Sequence, residues 1–188
     1  MDTVSAWVQD HLSDVIIPLT AAIALAGGAV WWWRPLRAWW WHRAVRGLPD
    51  YVRSRAERYV NASRIFDIDD RVRMRNELCR DMGAFVNRAG VSRRTLAHSG
   101  HEGLVVALAG AIAAAPRKGD DRLILLTDNS QVSGNAQHKI LDALDVLASE
   151  PGLVSPVDYA RITAWIDAIA DKEPKLPAKI AALKQKLD

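Results

Sequence analysis

Between Val15 and Trp33 the chain runs for nineteen residues, VIIPLTAAIALAGGAVWWW, without an ionisable side chain. Asp14 precedes the run and Arg34 follows it. At 1.5 Å per residue such a helix is about 28 Å long, close to the ~30 Å hydrocarbon core of a bilayer. Residues 1–14 carry Asp2, Asp10 and Asp14 and no Lys or Arg, which excludes the basic start of a secretory signal peptide. The sequence therefore predicts one N-terminal transmembrane helix.

The flanks set the expected orientation. Arg34, Arg37, Arg43 and Arg46 follow the run before any acid appears at Asp50, so the arginine side should stay in the cytoplasm and the N-terminus face outward. Six of the eight tryptophans, Trp31, Trp32, Trp33, Trp39, Trp40 and Trp41, share that segment. An indole combines an apolar ring with an N–H that needs a partner, which suits the headgroup level. Within the run, Thr20, Ala24 and Gly28 recur every four residues and offer a small-residue face for helix packing in lipid.

Charge separates the chain into three zones. Residues 1–33 have a net charge of −3, residues 34–64 hold eight Arg against Asp50 and Glu57, and residues 65–188 balance to zero. The basicity is thus local to the expected membrane exit. Anionic headgroups are its expected partner, at about 1 kcal/mol per Arg near the surface. Nucleic-acid phosphate would use the same charges, but a patch beside a span favours lipid over nucleic acid. The expected localisation is the cytoplasmic (inner) membrane, single-pass.

After the break at Gly47-Leu48-Pro49-Asp50 the pattern is helical throughout. A helix is expected from Tyr51 to about Phe66, burying Val52, Ala56, Tyr59, Val60 and Phe66 with its arginines outside. Asp67 to Asp70 reads as an N-terminal cap for a helix with Met74, Leu78, Met82, Phe85 and Val86 on its apolar face and Arg75 on the flank, ended by Gly90. Ser92 should cap a short turn. Ser99 and Glu102 have capping-box spacing, and the following residues, Gly103 to Ala115, are uncharged. Thirteen residues are too few to span a bilayer, so they predict a buried central helix.

Arg117 to Asp121 reads as a solvated turn, and RLILLT at 122–127 as a short helix rather than a strand, having no second strand to pair with. Ala136 to Ser149 is amphipathic. Ser155-Pro156 starts a helix expected to bury Val157, Ile162, Trp165, Ile166 and Ile169. Residues 172–177 form a linker with two prolines, and the last segment aligns Ile180, Leu183 and Leu187. A ten-residue helix is unstable alone. Its apolar edge should dock on its own domain or offer a partner protein a grip.

The fold class is therefore all-α: a single N-terminal transmembrane helix, then a cytoplasmic bundle of about five or six helices. The segments are 1–14 (outward amphipathic tail), 15–33 (span), 34–49 (Trp/Arg interface), 50–172 (helical domain) and 173–188 (Pro-bounded helix).

Chemistry is sparse. There is no P-loop, dinucleotide fingerprint, nucleophile elbow, H-E-x-x-H pair or EF-hand. His98, His101 and Glu102 with a distant His138 are the nearest approach to a metal site, but Gly100 separates the first two and no further ligand joins them. The lone Cys79 lies in a helical pattern and reads as a small buried hydrophobe. No cofactor or metal is expected. The expected role is a non-catalytic membrane-anchored interaction module, a scaffold, adaptor or accessory subunit, with a protein partner or a homo-oligomer. Two rivals remain: an oligomerising, membrane-disturbing lysis-type protein, and a membrane-tethered metal-dependent enzyme.

Overall fold

The computed structural model describes residues 39, 43–127, 133–170 and 177–187. They are helical, with no strand among them. In chain order the helices are α1 (Asp50–Asn61), closed by a 3-10 turn at Ala62–Arg64, then α2 (Ile68–Ala89), α3 (Arg93–Ala97), α4 (Glu102–Ala114), α5 (Asp120–Leu125), α6 (Gly134–Ser149), α7 (Pro156–Ala170) and α8 (Pro177–Leu187). The chain divides into two units, Met1–Arg43 and Ala44–Asp188. No helix among the described residues is long and apolar enough to cross a membrane. The expected span Val15–Trp33, with Thr20, Ala24 and Gly28, lies outside the described residues, as do Trp31, Trp32, Trp33, Arg34, Arg37, Trp40 and Trp41.

The second unit is built around α4. Ten consecutive residues, Gly103 to Ile112, are buried, so this helix has no solvent face. A helix that is apolar all round must be covered all round, and α1, α2, α3 and α6 cover it. Small residues make the contacts close. A Cβ at Gly83 on α2 would overlap the Gly110 backbone, one at Gly110 would overlap the Cys79 carbonyl, and one at Gly103 would overlap the Ala56 carbonyl. Where α2 crosses α4 the packing is thus backbone against backbone. The core also takes in Val45 and Leu48, upstream of the expected domain start at Asp50.

Local signals place the helix ends. Asp67 caps α2 by accepting the Asp70 N–H at 2.8 Å, and Gly90 ends it at φ 65°, a left-handed conformation that favours glycine. Ser92 caps α3 by accepting from the Thr95 amide. The segment at 122–127 falls on α5, which ends at Leu125, and the turn after it.

Several expectations are corrected. The 3-10 turn ends α1 early and leads the chain outward, so Phe66 is fully exposed rather than buried. Arg75, expected on a flank, is buried. The capping box does not form, because Gly100 takes φ 63° and shifts the start of α4 to Glu102, with His101 as its N-cap. Ser99 Oγ accepts the His101 N–H instead, and Glu102 accepts from the Ser133 hydroxyl. Asp120 and Asp121 are buried, not part of a solvated turn. From Val154, just ahead of α7, the buried stripe continues through Asp158, Ile162, Ile166 and Ile169, which leaves Val157 exposed. Asp158 can occupy that stripe because Arg122 (2.8 Å) and Arg161 (3.2 Å) both donate to it.

α8 docks on its own domain. Ile180 and Leu183 are buried in the core, and lysines fix the edges: Lys179 on Asp142, Lys184 on Asp167 and Lys186 on Asp145. The proposed grip for a partner is therefore occupied at Ile180 and Leu183; the Leu187 side chain lies outside the described residues.

Candidate functional site: a cationic cleft between α2 and α6

The early part of α2 carries Val72, Arg75 and Asn76, and the start of α6 carries Asn135, His138, Lys139 and Asp142. These walls and Tyr59 of α1 enclose a cleft of about 300 Å³. Positions 75, 79, 82 and 86 follow helical spacing, which turns Arg75 inward with Cys79, Met82 and Val86. Its guanidinium carbon lies 5.2 Å from the centroid of the Tyr59 ring, within cation–π range. Tyr59 is completely buried, yet its hydroxyl has no hydrogen-bond partner, and neither has Arg75 Nε. Burial pushes the Tyr59 phenol well above its ordinary range, so it stays a neutral donor.

One turn further along α2, the Cys79 Sγ lies 3.6 Å from the Val106 carbonyl, and burial pushes its thiol up to about 11. That rules against a resting thiolate nucleophile. A smaller recess of about 110 Å³ lies between α1 and α4, with Arg53 and His101 among its walls; Arg53 Nε and His101 Nδ1 have no partner there.

A second buried arginine sits near the C-terminal end of α4. Arg93 pairs with Asp120 and donates to Asn87 Oδ1 (2.6 Å), the Ala111 carbonyl (3.1 Å) and the Ala115 carbonyl (2.7 Å). Asn87 Nδ2 donates to the Ala111 carbonyl at 2.9 Å, and the Arg117 amide donates to Asp120 at 2.8 Å. Burial lifts the Asp120 carboxyl above its ordinary range, with Arg93 and Arg117 opposing the lift. Asp158 goes the other way: the Arg122 hydrogen bond holds its carboxyl below the ordinary range. The Arg93 cluster closes off the orphan carbonyls of the α4 terminus.

The residues singled out in the sequence do not converge. His138 lines the cleft, His101 lines the small recess and Glu102 is engaged with Ser133. No group of three or more His, Cys, Asp or Glu side chains is placed to hold a metal among the described residues. Of the expected membrane-interface residues, Trp39 is exposed with the Arg43 guanidinium 5.6 Å from its ring centroid, and Arg46 is exposed. Sequence reasoning missed Arg75, Arg93, Asp120 and the Tyr59 hydroxyl. Only for Arg75 was there a signal, its place one turn before Cys79 on the buried stripe.

No protein-family model matches the chain, and no curated protein or solved structure is detectably similar to it.

Proposed function

We propose that the chain is a single-pass membrane protein that holds a helical interaction domain on the cytoplasmic side, serving as a scaffold, adaptor or accessory subunit without a catalytic step of its own. The nineteen uncharged residues from Val15 to Trp33, followed by the tryptophan and arginine segment, carry this reading. Arg34, Arg37, Arg43 and Arg46 would rest on anionic headgroups. A domain whose core is closed by its own C-terminal helix supports the division into anchor and cargo.

An interaction role is supported by the start of α2. Ile68 and Val72, one turn apart on one face, are 64% and 50% exposed, and Phe66 just ahead of them is 102% exposed. Large apolar side chains left uncovered together mark interaction surfaces. Full-length protein is expected to resist carbonate extraction, and a chain starting at Ala44 to enter the soluble fraction. A reporter fused after Asp188 should read as cytoplasmic. Release of the full-length protein by carbonate overturns the anchor, and an exported reporter overturns the orientation. Phe66→Ser with Ile68→Ser should abolish co-purification of a partner while leaving the melting temperature unchanged.

A further inference from the structure

Arg75 is 8% exposed, and among the described residues no carboxylate pairs with it. The acid in the cleft wall and the one felt at Tyr59 are both engaged elsewhere. Asp142, in the cleft wall, takes Lys139 at 3.6 Å and also Lys179 from α8. Glu102, whose charge is felt at Tyr59, accepts from Ser133. The cleft therefore keeps a net positive charge, and a buried guanidinium without a counter-charge is costly. Two of the buried polar atoms without a partner, the Tyr59 hydroxyl and Arg75 Nε, belong to residues of this one cleft. A water would serve the hydrogen bonds and leave the charge.

We propose that this cleft binds a small oxyanion, phosphate or a phosphate monoester, on the Arg75 guanidinium and the Tyr59 hydroxyl, with Lys139 at its wall. The donors come from three helices, Tyr59 on α1, Arg75 on α2 and Lys139 on α6. A tetrahedral oxyanion accepts from directions that do not share a plane, whereas a carboxylate is planar. Arginine presents several donors in a fixed fork suited to phosphate. A volume of about 300 Å³ admits phosphate with a small ester substituent. The neutral phenol gives a donor that does not compete for the charge.

The test uses full-length protein in neutral detergent at constant ionic strength. Inorganic phosphate and glycerol phosphate should bind saturably and raise the melting temperature, whereas acetate should not. Arg75→Met should weaken phosphate binding at least tenfold. Tyr59→Phe removes one oxygen and should weaken binding several-fold while melting, in chloride, at or above the wild type. Mixed micelles containing phosphatidic acid separate the two sources of the ligand. Competition with glycerol phosphate identifies a lipid headgroup, and its absence a soluble ester; either supports the site. No saturable response of the wild type overturns the proposal, as does equal stabilisation by acetate or undiminished binding by Tyr59→Phe. Should Arg75→Met fail to fold, Tyr59→Phe decides.

Discussion

Arg75 and Arg93 are equally buried, at 8% and 7% exposure, and their surroundings are opposite. Arg93 donates through both terminal nitrogens to a carboxylate, an amide oxygen and two carbonyls, and its Nε, like that of Arg75, has no partner. Arg75 has an aromatic ring and no carboxylate. The same side chain at the same depth thus does two jobs. At Arg93 it ties α3 and α5 to the end of α4, and its hydrogen bonds account for its burial. At Arg75 burial is left without an internal explanation, as expected of a group that meets its partner from outside. Accessibility alone does not separate the two; the count of acceptors does.

The largest expected effect lies at Arg93. Arg93→Met leaves Asp120 buried without its counter-charge, and breaking such a pair costs about 3–5 kcal/mol. Urea denaturation followed by circular dichroism should show a loss of that order. Replacing both partners, Arg93→Met with Asp120→Leu, should recover much of it, because no unpaired charge remains. Equal losses in the single and double variants would mean that the hydrogen bonds to Ala111 and Ala115, rather than the pair, hold this corner.

Between the two arginines lies the crossing of α2 and α4, and it should respond next. Gly110→Ala places a methyl group against the Cys79 carbonyl, and backbone gives way less readily than a side chain. Overpacking of this kind costs about 1–3 kcal/mol. A melting temperature within error of the wild type would show that the helices can separate locally at little cost.

On the open side the sign reverses. Tyr59→Phe removes a buried hydroxyl that has no partner, and an unsatisfied buried group costs about 1–3 kcal/mol. Without phosphate the variant should be more stable than the wild type by up to that amount. A loss of stability instead would reveal an internal partner for the hydroxyl and remove the contrast with Arg93.

What could be read from the sequence follows the range of the forces involved. Helix α4 was legible because thirteen uncharged residues admit few placements, and the caps at Asp67, Gly90 and Ser92 because they act within one turn. The capping box at Ser99 failed through one glycine whose φ no spacing rule anticipates. Arg93 and Asp120 are separated by 27 residues, so their pairing depends on how α3 and α5 meet at the end of α4. Polar residues inside a core have no hydrophobic period to betray them. The Arg75 cleft needed tertiary contacts as well, since its walls come from α1, α2 and α6.

The smallest expected effect is a pH-dependent one at Cys79, which lies one turn from Arg75 and reports on that part of the bundle. Burial pushes its thiol from 9.0 up to about 11. The folded chain holds this proton more tightly than the unfolded chain does. Stability from Cys79 is therefore present in full below pH 9 and is lost as pH rises from about 9 towards 11. Cys79→Ala has no such proton to hold, so the difference in melting temperature between wild type and variant should shrink over that window and stay constant below it. Alkylation gives the kinetic counterpart. At pH 8 the folded thiol stays protonated, and modification by iodoacetamide should follow unfolding rather than exposure in the native state. If native Cys79 reacts at the rate of a free thiol, the α2–α4 contact opens without unfolding. Arg75 would then have a route to water that its burial conceals, and the contrast between the two arginines would be one of dynamics rather than of partners.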